Sequence, residues 1–273
     1  MNKIIEYYSK SNEEERLSSN NARKIEFITT TNKLEKLIDK NQKILDVGAG
    51  TGIYSIYFAE KGHEVVATDF VPKHVDIIRE KVLERNIHNI ETAVVDARDL
   101  SQFQDSTFDV VLCLGPIYHL LSEEDRIKCI SECLRVLKSD GVLAIAYINK
   151  HFIVPYLATV DKKYIKSSLI SKVINDGMIR ERDEDCFWTD AYFTTPEEIE
   201  NLVSRYSIKK LSHIATDGLS PMLRDSIDKL NEEEFNVWIE YHLNACEEES
   251  ILGVSNHGLF IGQKVNPLRI KDK

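Results

Sequence analysis

The 273-residue sequence has no long run of apolar residues. A helix that spans a membrane needs about 20 mostly apolar residues in succession, and no such segment occurs in the chain. The N-terminal segment MNKIIEYYSKSNEEER mixes apolar with charged residues and lacks the apolar region of a secretory signal. We therefore expect neither a membrane span nor a signal peptide.

Cysteine is also scarce. The five cysteines include no CxxC pair, and an odd number leaves one over in any complete set of disulfides. The sequence thus argues against a disulfide-stabilised fold, and we expect a reducing, cytoplasmic location. Cys129 and Cys133 share a predicted helix face with Ile130 and Leu134, so we interpret them as buried thiols and predict no metal site.

No block of lysine or arginine is present that could follow a phosphate backbone. The formal net charge is -10, and acidic runs occur at 232–234 and 247–249. Because nucleic-acid binding depends on clustered positive charge, the composition argues against a nucleic-acid partner. With 42% hydrophobic residues, the chain can bury a full core and carry an added part that covers a substrate.

The segment KILDVGAGTG at 43–52 constrains the chemistry most tightly. It combines a short apolar strand, an acid at Asp46 and glycines at 48, 50 and 52. Glycines allow the backbone to turn sharply and to approach a ligand closely where a side chain would collide. The segment therefore predicts a nucleotide-like ligand at the end of a strand.

The spacing of the glycines separates two ligand classes. A dinucleotide-binding loop has the pattern GxGxxG and seats a pyrophosphate on the following helix. Here Ile53 stands where the third glycine of that pattern should fall, and Gly52 comes one residue early. The carboxylate of Asp46 would repel a pyrophosphate, whereas it suits a cationic ligand.

Two further acids follow predicted strands in the same way. HEVVATD predicts a buried strand that ends at Asp69, and 90–95 predicts another that is followed by Asp96. Helical patterns separate these strands, which is typical of a parallel sheet. Since parallel strands end at one sheet edge, we expect Asp46, Asp69 and Asp96 to border one pocket.

DVGAGTG at 46–52 resembles the first motif of class I S-adenosylmethionine-dependent methyltransferases of the small-molecule type. The resemblance implies S-adenosylmethionine as the methyl donor. It implies that Asp69 accepts hydrogen bonds from the ribose hydroxyls and that Asp96 and Ala97 contact the adenine. The donor contacts that it implies are Asp46, Gly48, Ala49, Gly50, Gly52, Asp69, Phe70, Asp96, Ala97 and Leu114.

The same resemblance implies an α/β fold with a Rossmann-like seven-stranded sheet, parallel except for an antiparallel last strand and flanked by helices. We predict a fifth strand at 142–148 after a turn at Gly141, and a last strand at 257–265. The predicted organisation is a helical leader over the pocket at 1–39, a donor-binding core at 40–150, a lid at 151–195, and the rest of the core at 196–273 with a helical insert at 221–249.

Three residues are candidates for roles beside the donor. His119 follows the fourth predicted strand and could take a proton from an acceptor; the alternative is a packed histidine at a helix start. Tyr118 could line the acceptor site, or it could simply pack in the core. Arg16 could pair with the donor's carboxylate as a fork, or it could be a surface arginine.

We therefore predict a methyltransferase that moves a methyl group from S-adenosylmethionine to a small-molecule acceptor by in-line displacement. Holding the acceptor near the methyl group can supply roughly 7 to 11 kcal/mol of the barrier. Two alternatives stay open: an NAD(P)-dependent oxidoreductase, against which Ile53 and Asp46 argue, and a non-catalytic S-adenosylmethionine-binding module. The acceptor and the oligomeric state are not fixed by the sequence.

Overall fold

A computed structural model describes residues 2–10 and 13–265. Residues 1, 11, 12 and 266–273, within the predicted leader and last segment, lie outside the described residues. The helices are α1 (Asn2–Lys10), α2 (Asn21–Glu35), α3 (Ile53–Glu60), α4 (Pro72–Glu84), α5 (Glu123–Val136), α6 (Lys150–Val160), α7 (Ser167–Ser171), α8 (Pro196–Val203), α9 (Arg224–Ile227), α10 (Glu232–Ala245) and α11 (Glu249–Val254). The strands are β1 (Lys43–Val47), β2 (Glu64–Asp69), β3 (Ile90–Val94), β4 (Phe108–Cys113), β5 (Leu137–Ile148), β6 (Met178–Ile179), β7 (Ala191–Tyr192), β8 (Ile208–Ala215) and β9 (His257–Lys264).

Seven of these strands form one sheet in the order β3-β2-β1-β4-β5-β9-β8. The pairs along β3-β2-β1-β4-β5 are parallel, and β9 runs antiparallel to both of its neighbours. The predicted seven-stranded sheet with its antiparallel last strand is thus confirmed. The order of the strands reverses between β1 and β4, which is where open α/β sheets bind ligands.

The core lies on both faces of this sheet. Successive residues of a strand point to opposite faces, and Ile44 and Leu45 accordingly belong to two different buried clusters. One cluster includes α5 and α8, and the other includes α3 and α11. Cys129 and Cys133 are buried in the first cluster, in agreement with their interpretation as core thiols.

The fifth strand begins earlier than the sequence predicts. The pattern predicts a turn at Gly141 and a strand at 142–148, but β5 already starts at Leu137. The ladder between β4 and β5 shifts register near its start. A Cβ on Gly141 would lie 2.8 Å from the carbonyl oxygen of Asp109, so glycine is needed here for close approach inside the sheet.

Two regions outside the sheet have their own structure. Residues 149–195 contain α6, α7 and the small sheet of β6 and β7, built around a separate buried cluster that includes Ile153, Val173 and Phe193. Between β8 and β9 lie α9, α10 and α11, in the region predicted as a helical insert at 221–249, and α11 extends to Val254. Within the described ranges, no helix has the length and apolar character needed to cross a membrane.

Gly258 provides a test of the packing that positions β9. It pairs with Tyr147 across the sheet, and a Cβ at Gly258 would lie within 2.5 Å of three atoms of the Tyr147 ring and hydroxyl. We expect Gly258→Ala to lower the free energy of unfolding by about 1 to 3 kcal/mol through overpacking. Urea denaturation measures this change.

Gly253→Ala is the matched control. Gly253 lies in α11, and a Cβ there would meet no atom within 4 Å. We expect this change to stabilise the protein slightly, because alanine loses less entropy in a helix. Equal effects of the two substitutions would contradict the packing argument.

Candidate functional site

The carboxyl ends of β1 to β4 border a cavity of about 410 Å³. This volume falls in the range of small-molecule sites. The helix α1, residues just before α2, and the loop after β4 complete its walls. Of the site residues predicted from the sequence, all but Gly52 line the cavity: Arg16, Asp46, Gly48, Ala49, Gly50, Asp69, Phe70, Asp96, Ala97, Leu114, Tyr118 and His119.

The glycine loop lies between the end of β2 and the turn that follows β4. The N–H groups of Gly48 and Ala49 both donate to the carbonyl of Thr68 at 2.8 Å. Gly48 has φ +74°, and a Cβ there would lie 2.8 Å from Cδ of Pro116. Any other residue at 48 would therefore be strained and would push the loop away from the turn that follows β4.

Gly52 has a different role from the other glycines of the motif. It begins α3 with φ +83°, and a Cβ at this position would lie 2.8 Å from Cγ1 of Ile78 on α4. Gly52 therefore allows α3 to start close against α4. Whether it contacts the donor stays a prediction.

Asp69 orders the loop around it. Its Oδ2 accepts from the N–H of Gly50 at 2.8 Å, and its Oδ1 accepts from the N–H of Val71 at 2.8 Å. Nδ1 of His74 lies 3.2 Å from Oδ1. Since each carboxylate oxygen has two acceptor positions, Oδ2 keeps one beyond its bond to Gly50.

Asp96 is paired with Arg98, a residue that the sequence did not single out. Nε of Arg98 donates to Oδ1 at 3.0 Å and Nη2 to Oδ2 at 2.7 Å. Nη1 of the same arginine donates to Asp125 at 3.1 Å. Burial alone would raise the pKa of Asp96, but the hydrogen bonds from Arg98 outweigh it and hold the pKa below its ordinary value.

Asp46 is the acid whose burial is least compensated. Ser55 donates to Oδ2 at 2.6 Å, whereas Oδ1 has no hydrogen-bond partner among the described residues. Burial raises the pKa of Asp46 to about 7, and the nearby charge of Asp69 adds to the rise. An uncompensated buried oxygen in a cavity wall is where a cationic or hydrogen-bonding ligand would be stabilised.

The geometry around His119 fixes its tautomer. Nδ1 lies 3.3 Å from the carbonyl oxygen of Asp190, which can only accept, so we assign the proton to Nδ1. Nε2 then accepts from the hydroxyl of Tyr8 at 2.7 Å. Burial lowers the pKa of His119 to about 4, and the imidazole is therefore neutral at ordinary pH.

Aromatic rings surround His119. The rings of Tyr118, Tyr8 and Trp188 have centroids 4.8, 5.3 and 5.3 Å from that of the imidazole. Burial raises the pKa of Tyr118, which keeps its phenol protonated. Tyr118 thus belongs both to the cavity wall and to the packing, so the two interpretations of this residue are compatible.

Arg16 lines the cavity and pairs with Glu26 on α2. Nη1 and Nη2 of the guanidinium donate to the two carboxylate oxygens of Glu26 at 3.0 and 3.2 Å. This fork is the geometry in which arginine binds a carboxylate most specifically. Arg16 is partly exposed and borders the cavity, and its contact with the carboxylate of the donor stays a prediction.

Several cavity residues were not found by sequence reasoning. Glu13, His74, Arg98 and Asp190 line it although they carry no motif. Tyr8 on α1 also lines it. Their positions depend on contacts between distant segments, and the nearest available signal was the proximity of Arg98 to Asp96 in the sequence.

Known proteins provide independent information. The profile of a family described as a methyltransferase domain matches residues 44–141. The glycine/sarcosine/dimethylglycine N-methyltransferase of Actinopolyspora halophila is 29% identical over 174 residues, which cover 62% of this chain and 29% of that protein. The ubiquinone biosynthesis O-methyltransferase of Haemophilus ducreyi is 31% identical over 131 residues, 47% of this chain and 54% of that protein.

Among solved structures, an S-adenosylmethionine-dependent methyltransferase from Thermotoga maritima has a TM-score of 0.61 at 16% identity. The similarity covers 97% of this chain and all of that one, and at this identity it concerns the fold. The chain spans about a third to a half of the curated relatives described above. Residues 44–141 are thus similar to a methyltransferase domain, and the sheet order is that of the Rossmann-like methyltransferase fold.

Proposed function

We propose that the protein transfers a methyl group from S-adenosylmethionine to a small-molecule acceptor. The observation that carries this proposal is the meeting of Asp46, Asp69 and Asp96 with the glycine loop in one cavity at the switch point of the sheet. The relatives are named for methylating glycine and sarcosine or for ubiquinone biosynthesis. For this chain, the small-molecule class is supported by these names and by the acidic composition.

The residues of the cavity fit the chemical groups of the donor. When bound, the donor supplies an electrophilic methyl group on a sulfonium. Asp69 would hold the ribose with the acceptor position left on Oδ2, and Asp96 and Ala97 would contact the adenine. The unpaired Oδ1 of Asp46 suits the ammonium of the methionyl part, and Arg16 suits its carboxylate.

The acceptor would bind on the side of His119, between α1 and residues 149–195. Tyr8, Tyr118 and Asp190 line this side of the cavity, and Trp188 packs against His119 from residues 149–195. We propose that this segment is the lid predicted from the sequence, because its carbonyl at Asp190 and its indole at Trp188 both contact His119. Excluding water here would strengthen the charge interactions in the cavity.

His119 is the proposed general base. Its Nε2 lone pair is the basic position, and the neutral imidazole needs no prior loss of a proton. The hydroxyl of Tyr8 occupies that lone pair, so an acceptor must displace Tyr8 or pass its proton through the Tyr8 hydroxyl. Either route makes α1 part of the acceptor site.

The experiment that tests the proposed function is calorimetric titration with S-adenosylmethionine and S-adenosylhomocysteine, with NAD as the control. Binding of the first two without NAD supports the donor site, and binding of NAD alone would favour an oxidoreductase. Transfer of labelled methyl to candidate amines, hydroxy acids and phenols then separates an enzyme from a binding module. Labelled product is required for the proposal to stand.

Asp69→Ala should weaken binding of S-adenosylhomocysteine by about 1.5 to 3 kcal/mol, because charge-assisted hydrogen bonds to the ribose are lost. Calorimetry measures this loss, and the melting temperature reports the separate effect of losing the bond to Gly50. Asp76→Ala is the control, because Asp76 is exposed on α4 and pairs with Arg79. Unchanged affinity in Asp69→Ala would mean that Asp69 does not contact the donor.

Asp46 should make donor binding depend on pH. Only the carboxylate form attracts an ammonium, and a pKa of about 7 means that this form is lost as the pH falls below that value. We expect the affinity for S-adenosylhomocysteine to fall by up to about tenfold per pH unit below pH 7. Asp46→Asn should bind more weakly at pH 8 and lose this dependence, and calorimetry over a pH series tests both.

Ionisation of Asp46 should favour donor binding but should lower the stability of the folded protein. Burial raises its folded-state pKa above the unfolded value of about 4, so its contribution to stability is fully present below about pH 4 and is lost as the pH rises through about 7. Asp46→Asn should therefore melt at a higher temperature than the wild type at pH 8, with a smaller gain at pH 5. Asp109→Asn is the control, and it should lower the melting temperature at pH 8 instead of raising it. Burial alone would raise the pKa of Asp109, but hydrogen bonds from Lys138 and Lys43 lower it, so the ionised carboxylate stabilises the folded protein.

His119→Ala should reduce the methyl-transfer rate by about a hundredfold or more if His119 takes the acceptor's proton. Tyr8→Phe keeps the ring but frees Nε2, and it should retain the rate if the acceptor displaces Tyr8. Because the pKa of His119 is about 4, this residue should cause no change in rate between about pH 6 and 9. Full activity in His119→Ala would exclude the base role.

A further inference from the structure

A row of four ionisable side chains extends from the cavity into the protein. Arg16 makes a fork with Glu26, and Oε2 of Glu26 lies 3.5 Å from Nδ1 of His257. The same Nδ1 lies 2.7 Å from Oδ2 of Asp217. The order along the row is therefore guanidinium, carboxylate, imidazole, carboxylate.

The row joins segments that are far apart in the sequence. Glu26 lies on α2, Asp217 follows β8, and His257 is the first residue of β9. Asp217 is nearly inaccessible and accepts hydrogen bonds from the hydroxyl of Ser255 at 3.0 Å and from the N–H of His257 at 2.9 Å. Its end of the row is therefore fixed to the sheet.

The charges along the row compensate one another. Burial alone would lower the pKa of His257, but the carboxylates of Glu26 and Asp217 outweigh it and raise the pKa. When His257 is protonated, the row has two positive and two negative charges. Buried ions are tolerated when each is paired in this way, and removal of one member exposes its neighbour to the full desolvation cost.

Arg16 is the cationic end of the row, and Glu26 uses only some of its N–H donors. A guanidinium has five N–H donors, and Glu26 takes two of them. Nε faces Glu13 at 3.6 Å, which is longer than a hydrogen bond. The other arginine of the cavity wall, Arg98, is bound to Asp96 and Asp125, so Arg16 is the better placed to take a second carboxylate.

We propose that Glu26, His257 and Asp217 are positioning residues that hold the guanidinium of Arg16 in place to bind the carboxylate of the methyl donor. The inference rests on the proposed function and deepens it, because it assigns the anionic end of the donor to a preorganised arginine. A fixed fork binds a carboxylate at less entropic cost than a mobile arginine. The last strand of the sheet thereby contributes to a site that it does not line.

The test compares two ligands that differ only in the carboxylate: S-adenosylhomocysteine and its decarboxylated analogue, which keeps the ammonium. Calorimetry should give the wild type a preference of about tenfold or more for S-adenosylhomocysteine. Glu26→Gln removes the charge of the fork with little change of shape. It should reduce affinity for S-adenosylhomocysteine about tenfold and leave the decarboxylated analogue nearly unaffected.

Two further variants make the test specific. In an Arg16→Met background, Glu26→Gln should cause no additional loss of affinity, because a residue that acts through Arg16 has nothing left to position. Glu60→Gln is the matched control, since Glu60 pairs with Arg85 on the surface and should leave the affinities for both ligands unchanged. Should Glu26→Gln fail to fold, His257→Asn gives the same comparison with the Arg16 fork retained.

Selective loss of the carboxylate preference in these variants supports the positioning role. Equal losses for the two ligands would mean that the row is only structural, and unchanged affinities would mean that Arg16 does not need it. A wild type that binds both ligands equally would exclude Arg16 as the carboxylate site while leaving the donor assignment intact. Failure of both ligands and of S-adenosylmethionine to bind would overturn the proposed function together with this inference.

Discussion

The site depends on how three carboxylates at one sheet edge are compensated for their loss of water, with Asp46 and Asp69 buried and Asp96 half-buried. Removing a carboxylate from water is costly unless hydrogen bonds or opposite charges replace the solvent. Asp69 is compensated by backbone N–H groups, and Asp96 is compensated by Arg98. Asp46 has only the hydroxyl of Ser55 as a hydrogen-bond donor. A ligand that donates a hydrogen bond to its Oδ1, or that carries a positive charge, would offset part of the cost of burying this carboxylate.

The bond between Asp69 and the glycine loop also connects neighbouring parts of the site. Because Asp69 binds the N–H of Gly50, the shape of the glycine loop depends on the end of β2. Gly48 in turn contacts the turn after β4, which leads directly to Tyr118 and His119. The glycine loop and the residues around His119 are therefore linked through a few contacts, and a substitution that strains Gly48 would affect both.

The meeting of Asp46, Asp69 and Asp96 beside the glycine loop could be predicted from the sequence because its signals are local. An acid at the end of an apolar strand and glycines at fixed spacing are properties of adjacent residues, and the parallel sheet then brings Asp46, Asp69 and Asp96 together. The start of β5 was missed because the close approach of Gly141 to Asp109 depends on strand pairing. The row from Arg16 to Asp217 could not be predicted, since its members meet only when α2 packs beside the last two strands.

The proposed acceptor side is likewise assembled from separate segments, which explains why the sequence alone does not specify an acceptor. His119 is contacted by Tyr8 from α1 and by Asp190 and Trp188 from residues 149–195. Arg126 on α5 donates to the carbonyls of Leu120 and Leu121, and its guanidinium lies 3.6 Å from the ring centroid of Tyr192.

That arginine ties the loop carrying His119 to β7. Any movement of residues 149–195 would therefore disturb Arg126, the carbonyls that it holds and the hydrogen bond of His119 to Asp190. Specificity for the acceptor would then depend on how α1 and residues 149–195 close together around His119. No single side chain would decide it, because the proposed base His119, its hydrogen-bond partners and the aromatic side chains around it belong to separate segments of the chain.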